Sequence, residues 1–445
     1  MTKLTVPSII TEIPGPKTQD ILDSYKNYIF YNHPSPMPLV WESAEGSVIT
    51  DVDGNRFIDF SSGVLVMNAG HSHPKINKIL IEQIEKLVHS YFAPTSSLLS
   101  GLKALASLLP TTHQKILPVT TGTEALEAAV KIARAFTGKN EILSFFGGFH
   151  GRSYLAMAMG GLMGVKKGYG PMPAGHVHAP YPYCYRCPFG QVHDKCNFTC
   201  LNFLEEVVRT VSSDDFAALV IEPYQGSSGV VVPPKEFIEG LRSFCDNHQM
   251  LLIYDEIQSS FCRTGKNFAF EHFSYVPDII CVGKGIANGL PTSAVIVRND
   301  ISQALGSLSW TSTFSANPIS WASVYGSIEV MKEEKLAERA ANLGELVFER
   351  LDQMKNRYSL IGEARGMGLS IGVEMVKDQE TKEPAKEEAL EIFKICTQSG
   401  LVLIPPLGYF SNVFRICPPL TIPEELLDYG LLIFEEAIKK VCKSS

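Results

Sequence analysis

Three segments of the sequence carry residues that could take part in catalysis, and the first holds a lysine. Lys284 stands between Gly283 and Gly285, directly after the apolar run Asp278–Val282. A lysine buried at such a strand end tends to lose its proton, and the neutral amine is a nucleophile that forms Schiff bases. Taken alone, a lysine in this position is more often a solvated surface residue, so the assignment needs partners.

The second segment ends in Asp255, and the third opens a helix at Thr121. A carboxylate at the C-terminal end of a parallel strand lies where doubly wound sheets bind ligands, although a helix cap or an ion-pair partner is the commoner role. Thr121 and Glu124 have the spacing of a capping box, and Gly122 lets the backbone approach a ligand. The N–H groups and dipole of that helix favour a phosphate; the alternative is a capped helix without a ligand.

Taken together, these groups match the requirements of pyridoxal 5′-phosphate. Its aldehyde needs an amine, its pyridine nitrogen needs an anion, and its phosphate needs N–H donors. The sequence therefore predicts this cofactor.

The elements that must position these residues are those of an α/β domain. Between about 115 and 300, helical stretches alternate with apolar runs at 216–221, 250–254, 278–282 and 293–297. Unbroken apolar strands between helices are typical of a parallel sheet covered on both faces, which is what we predict. The helix beginning at Thr121 should bury Ala125, Ala128, Ala129 and Ile132.

Three regions follow from the pattern of elements. Residues 1–65 are predicted to form an N-terminal arm and part of a small domain, with a hairpin turn at Asp53-Gly54. Residues 66–320 are predicted to form the large cofactor-binding domain. Helical periodicity at 320–332 and 334–357, followed by short strands, predicts a small α+β domain over 321–445. The arm is rich in proline, with Pro7, Pro14, Pro16, Pro34 and Pro36.

Composition excludes several classes of partner. The 445 residues include 39 Lys and Arg against 47 Asp and Glu, a net charge of -8 that argues against a nucleic-acid groove or a basic membrane-binding surface. No signal peptide or membrane-spanning run is recognised, so we expect a cytoplasmic protein whose 10 cysteines are reduced.

An ordered series of motifs resembles the class III (ω-) aminotransferases of pyridoxal-phosphate fold type I, with a pattern similar to 4-aminobutyrate aminotransferases. The separations from Asp255 to Lys284 and from Lys284 to Thr313 agree with that family. The resemblance spans about residues 25–440 and implies a large domain with a mostly parallel sheet covered by helices, plus a smaller α+β domain. It rests on these segments: Gly70–Pro74, Thr121–Ala125, Phe149–Arg152, Ile221–Gly226, Asp255–Gln258, Arg263–Lys266, Lys284–Gly289, Asn317-Pro318 and Arg415 before Pro418–Leu420.

Residue by residue, the resemblance implies the catalytic roles. Lys284 would form the Schiff base with the cofactor and then move a proton between the substrate Cα and the cofactor. Asp255 would keep the pyridine nitrogen protonated, so that the ring accepts electrons. Gln258 would approach the ring hydroxyl, and Glu222 would lie close to the cofactor.

The remaining cofactor contacts are implied in the same way. Gly122 and Thr123 would hold the phosphate, and Phe149 would stack on the ring in place of the tyrosine common in the family. Thr313 matches a threonine that reaches the neighbouring subunit's phosphate. The resemblance therefore implies a homodimer with shared active sites, and leaves open whether dimers pair into tetramers.

Two arginines bear on the substrate. Arg152 matches the arginine that binds the distal carboxylate of 4-aminobutyrate, and Arg415 matches the one that binds the keto-acid carboxylate. The family's gating glutamate is replaced by Ser227, which weakens the inference to 4-aminobutyrate itself. The resemblance implies transfer from an ω-amino acid or primary amine to 2-oxoglutarate or pyruvate; the alternative is an amino-acid racemase or epimerase of the same family.

A cysteine-rich segment lies outside these motifs, with the spacing C-x2-C and C-x3-C. Four thiolates would suit a tetrahedral zinc ion, and reduced structural thiols are the alternative, which we adopt, assigning no metal site. The residues are Cys184, Cys187, Cys196 and Cys200.

Overall fold

The computed structural model describes residues 6–30, 37–91, 93–212, 214–306 and 309–444. Pro34 and Pro36 of the proline-rich arm therefore lie outside the described residues. The α-helices are α1 Pro16–Tyr25, α2 Ser62–Leu65, α3 Pro74–Lys86, α4 Ser96–Ala106, α5 Gly122–Thr137, α6 Tyr154–Met159, α7 Thr199–Val211, α8 Lys235–Asn247, α9 Pro318–Glu333, α10 Leu336–Arg357, α11 Lys386–Gln398 and α12 Glu424–Ser444.

The strands form three sheets. They are β1 Trp41–Glu45, β2 Val48–Asp51, β3 Arg56–Asp59, β4 Lys115–Val119, β5 Glu141–Phe145, β6 His176–Ala179, β7 Phe216–Ile221, β8 Leu251–Asp255, β9 Ile279–Val282, β10 Ser293–Val297, β11 Ile361–Met367, β12 Ser370–Met375, β13 Leu401–Val402 and β14 Val413–Ile416. Contacts divide the chain into two units, one comprising Met1–Pro74 with Arg339–Ser445 and the other Lys75–Glu338.

The unit built from both ends of the chain contains two of the sheets. One has the strand order β1-β2-β3-β13, and the other β11-β12-β14. The hairpin predicted at Asp53-Gly54 joins the antiparallel strands β2 and β3, and Gly54 has a φ of 90°. The described part of the arm lies on this hairpin, where Asn55 Oδ1 accepts hydrogen bonds from the backbone of Ile10 and Thr11.

The unit Lys75–Glu338 is built on a seven-stranded sheet with the order β4-β10-β9-β8-β7-β5-β6. The neighbours β9-β8-β7-β5-β6 are all parallel, which confirms the mostly parallel α/β sheet. Its central strands are fully buried, as their unbroken apolar sequences require.

Strand β10 departs from the parallel pattern. The apolar run at 293–297 was grouped with the parallel strands, but it pairs antiparallel with both β9 and β4. Periodicity reports which faces of a strand are buried and does not report its direction, so this part of the expectation is wrong.

Helix α5 forms for reasons that are local to its sequence. The Thr121 side chain accepts a hydrogen bond from the Glu124 backbone N–H, and Gly138 ends the helix with a φ of 72°. Glu124 reaches back to the N–H of Thr120, one residue before the position that a standard capping box uses. The predicted inner face is confirmed, because Ala125, Ala128, Ala129 and Ile132 are buried.

None of the helices in the described ranges is both long enough and apolar enough to cross a lipid bilayer.

Candidate active site

A cavity of about 240 Å³ lies within the unit Lys75–Glu338. Most of the predicted cofactor contacts line it, although they come from five separate stretches of the chain. The lining residues are Gly122, Thr123, Phe149, His150, Gly151, Glu222, Asp255, Ile257, Gln258 and Lys284.

Strand register explains why these residues meet. Asp255 is the last residue of β8 and lies opposite Cys281 of β9, while Lys284 begins a short 3-10 helix just beyond that strand. Glu222 directly follows β7, the strand on the other side of β8. The three side chains therefore belong to one edge of the sheet, at the carboxyl ends of neighbouring parallel strands, where such sheets bind ligands.

The backbone at Lys284 is unusual. Its φ is 46°, in the left-handed region that costs a residue with a side chain about 1–2 kcal/mol. Conformations of this kind persist where the surrounding structure enforces them, and they cluster at functional sites.

Asp255 is held by two hydrogen bonds. His150 Nδ1 lies 2.8 Å from Asp255 Oδ2, and the Ile257 backbone N–H donates to Asp255 Oδ1 at 3.1 Å. Burial opposes the charged form of His150, but the hydrogen bond to Asp255 and the negative charges of Asp255 and Glu222 together raise the pKa of His150. A protonated His150 would fix the Asp255 carboxylate facing the cavity.

Glu222 is the second buried carboxyl group of the site. Its oxygens accept hydrogen bonds from the backbone of Phe149 at 2.8 Å and of Gly226 at 2.9 Å. Burial, and next the charge of Asp255, raise the pKa of Glu222 to about 7. This group therefore changes charge near neutral pH.

We predict that Glu222→Gln flattens the pH dependence of stability in the cofactor-free protein. Between the ordinary pKa of 4.5 and about 7, folded Glu222 keeps its proton while the unfolded chain releases it, so the free energy of unfolding falls as pH rises. The fall is up to about 3 kcal/mol at about 1.4 kcal/mol per pKa unit. Denaturant titrations at pH 5 and pH 8 measure it, with the exposed Glu82→Gln as the control. If the free energy of unfolding fell as much between pH 5 and pH 8 in Glu222→Gln as in the unaltered protein, the prediction would be wrong.

Two glycines admit neighbouring side chains to the cavity wall. A Cβ atom at Gly122 would come within 2.8 Å of Ile257 Cδ1, and one at Gly226 would come within 2.3 Å of Gln258 Oε1. Gly122 and Thr123 are the first two residues of α5, so their N–H groups have no acceptor within the helix. The cavity thus has N–H donors and the positive end of a helix dipole at one end.

Three predicted site residues are not among those lining this cavity. Arg152 is exposed, one residue beyond Gly151. Thr313 is exposed in a turn before α9. Arg415 is buried in β14, which belongs to the other unit of the chain.

Three lining residues, His150, Gly151 and Ile257, carried no role in the sequence interpretation. His150 was part of the motif Phe149–Arg152, but its contact with Asp255 joins residues 105 positions apart. Ile257 follows Asp255 by two residues, and its place in the motif Asp255–Gln258 was the only signal in the sequence.

The four cysteines of the cysteine-rich segment line a separate small cavity together with His193. Burial first, and then the neighbouring thiols Cys196 and Cys187, raise the pKa of Cys200 to about 11. Within the described part of the chain, no group of three or more His, Cys, Asp or Glu side chains is arranged to hold a metal ion.

The sequence matches the family model "Aminotransferase class-III" over residues 30–438. This chain belongs to the class III aminotransferases. The class III match covers nearly the whole chain, so the protein is an enzyme of this family and its substrates are small molecules, an amino donor and a keto acid.

Relatives of this class III aminotransferase carry two kinds of activity in their names. The chain is 40% identical over 408 residues to a leucine/methionine racemase of Thermococcus litoralis, covering 91% of each chain. It is 36% identical over 402 residues to a probable 4-aminobutyrate aminotransferase of Bacillus subtilis, covering 89% of this chain and 92% of the relative.

A solved structure supports both fold and cofactor. An amine transaminase from an uncultivated Pseudomonas species, in its pyridoxal-phosphate-bound form, has a TM-score of 0.87 and 27% identity over 93% of this chain and 98% of its own. Class III aminotransferases use pyridoxal 5′-phosphate, and this chain does likewise. The donor set of the cavity fits that group, since it offers an amine, a buried carboxylate and helix N-terminal N–H groups around the close approach at Gly122.

Proposed function

We propose that this class III aminotransferase transfers the amino group of an ω-amino acid or a primary amine to 2-oxoglutarate or pyruvate. One observation carries the proposal: Lys284, Asp255 and the N-terminus of α5 converge on a single cavity. The probable 4-aminobutyrate aminotransferase of Bacillus subtilis supports an ω-amino acid as donor.

The residues divide the work of the reaction. When bound, pyridoxal phosphate supplies the aldehyde that takes up the amino group and a ring that accepts electron density. Lys284 would hold the cofactor covalently through its Nζ, and the same amine would move the proton at the substrate carbon that bears the amino group. Asp255, oriented by His150, provides the negative charge that keeps the ring nitrogen protonated.

The remaining lining residues hold the cofactor in position. Gly122 and Thr123 would bind the phosphate through the first N–H groups of α5 and through the Thr123 hydroxyl, and Phe149 would pack on the face of the ring. Gln258 would approach the ring hydroxyl, and Glu222 would lie close to the cofactor.

We further propose a cytoplasmic homodimer in which the partner's copy of Thr313 completes the phosphate site. Exposure of Thr313 supports this arrangement, because a residue serving a neighbouring subunit must lie on the surface of its own chain. The arrangement predicts that Thr313→Val binds the cofactor more weakly, which a cofactor titration measures. Light scattering should show that the variant keeps the mass of a dimer.

Arg152 is proposed to bind the distal carboxylate of the donor. We predict that Arg152→Ala raises KM for donors with a distal carboxylate by about 10- to 100-fold, the value of a charge-assisted hydrogen-bond pair. Uncharged amines should change by less than about twofold, because they make no such contact. Steady-state kinetics with matched donors measures the ratio, and Arg209→Ala, an exposed arginine that pairs with Glu206 on α7, is the control. An equal effect on both classes of donor would remove Arg152 from this role.

The leucine/methionine racemase relative favours a second candidate function, racemisation of an amino acid. Transamination and racemisation begin with removal of the same Cα proton, and they differ in where a proton is returned. A racemase returns it to Cα and needs no keto acid.

A single experiment separates the two functions. Purified enzyme is incubated with one enantiomer of an amino acid or an achiral ω-amino acid, with and without 2-oxoglutarate or pyruvate. Chiral chromatography then follows both donor and product. Transamination requires a keto acid and yields a new amino acid; appearance of the opposite enantiomer without a keto acid would establish racemisation in its place.

A further inference from the structure

A chain of hydrogen bonds extends from the cavity into the wall behind it. Thr123 Oγ1 lies 2.7 Å from Ser153 Oγ, and the Ser153 hydroxyl donates to Glu127 Oε1. Thr123 and Glu127 lie one turn apart on α5, while Ser153 belongs to the loop that precedes α6.

Ser153 does not perform the role its position would suggest. It occupies the N-cap of α6, where a serine hydroxyl ordinarily accepts a hydrogen bond from a backbone N–H of the first turn. Here the side chain makes no capping hydrogen bond. Its hydroxyl contacts Thr123 and Glu127 instead. Ser153 therefore supports residues of α5 at the cavity and does not cap α6.

The backbone next to Ser153 leaves space for the Thr123 hydroxyl. Gly151 has a φ of 139°, and a Cβ atom there would come within 2.2 Å of Thr123 Oγ1. A hydroxyl can donate one hydrogen bond and accept others. With Ser153 donating to Glu127, Thr123 donates to Ser153; with the Thr123 proton turned into the cavity, Ser153 can donate to Thr123. Both arrangements keep the Thr123 oxygen in the same place.

We propose that Ser153 and Glu127 are positioning residues for the cofactor phosphate, acting through the Thr123 hydroxyl. Threonine divides between two rotamers in a helix because its hydroxyl can also bond to backbone carbonyls. Ser153 selects one rotamer, and Glu127 holds Ser153 in place. The proposal rests on the phosphate role of Thr123 proposed above. Ser153 and Glu127 would support the phosphate site without touching the phosphate.

The test compares two probes that differ only in the phosphate. The full chain, freed of cofactor, is titrated with pyridoxal 5′-phosphate and with pyridoxal, and binding is followed by absorbance and protein fluorescence. We expect Ser153→Ala to weaken binding of pyridoxal phosphate by about tenfold, the loss of about one hydrogen bond, and binding of pyridoxal by less than about twofold. Glu127→Ala should behave like Ser153→Ala, while Glu127→Gln, which keeps an acceptor oxygen, should retain most of the affinity.

A double-mutant cycle tests whether the effect passes through Thr123. Thr123→Val removes the hydroxyl at nearly constant shape, and Ser153→Ala should add nothing further in that background. Ser259→Ala is the matched control, because Ser259 also donates to a carboxylate, that of Glu256, without a link to Thr123. Additive losses, equal losses for both probes, or unchanged affinity in Ser153→Ala would each overturn the proposal.

Failure of this inference is distinguishable from failure of the proposed function. If Thr123→Val leaves the preference for the phosphorylated probe unchanged, the phosphate role of the Thr123 hydroxyl is wrong, while the backbone N–H groups of α5 keep theirs. If Thr123→Val weakens that preference and Ser153→Ala does not, only the positioning role fails. Neither outcome depends on turnover.

Discussion

Replacing Lys284 with alanine is expected to reduce transamination by about 10⁴-fold or more, because the variant loses the amine that both anchors the cofactor and moves the Cα proton. Initial rates with donor and keto acid measure the loss. Borohydride reduction of the unaltered enzyme, followed by peptide mapping, should tag the peptide that contains Lys284 and no other.

Lys166 provides the matched control for this variant. Burial lowers the pKa of Lys166, whose Nζ donates to the Ala158 carbonyl and lies outside the cavity lining. Lys166→Ala should therefore keep turnover within a few fold of the unaltered enzyme. Turnover retained in Lys284→Ala, or a tag on another lysine, would refute the assignment of Lys284.

Asp255→Asn is expected to reduce kcat by about 10²- to 10³-fold, because it removes a fixed charge at nearly constant shape from a site with little water. Burial on its own would lower the pKa of His150, and the hydrogen bond and negative charge of Asp255 raise it. The pKa of His150 should therefore fall in the same variant. Kinetics measures the first effect and histidine NMR the second.

The adjacent residue gives a sharp comparison. Glu256 is also buried, but its carboxylate faces away from the cavity and accepts hydrogen bonds from the backbone of Ala269 and Phe270. Glu256→Gln makes the same change from acid to amide one position along the chain, and it should lower stability more than kcat. An Asp255→Asn enzyme with normal kcat would contradict the role given to Asp255.

Features governed by local sequence were predictable. The cap at Thr121, the buried face of α5 and the strand ends at Asp255 and Lys284 follow from short-range periodicity and capping chemistry. The cap and the buried helix face depend on contacts between residues a few positions apart. The strand ends are marked by a polar residue that follows an apolar run.

Features governed by distant contacts were not predictable in the same way. The antiparallel direction of β10 is fixed by its pairing with β4 and β9, which no local pattern reports. The bond between His150 and Asp255 and the bridge from Thr123 through Ser153 form only when separate loops meet at the edge of the sheet. The sequence around a serine, threonine or histidine does not indicate which distant residue will be its hydrogen-bond partner.

The neighbouring positions of β8 and β9 have a consequence for anyone who wishes to change the donor range of this enzyme. Backbone pairing between Asp255 and Cys281 sets the spacing of the two strand ends next to the acid and the amine, so mutations that spare these strands and His150 should leave both groups aligned. Arg152 lies on an exposed loop that such pairing does not constrain. Randomising Arg152 itself, while leaving His150, Ser153 and the paired strands untouched, should yield variants in which the donor preference changes and the chemistry survives.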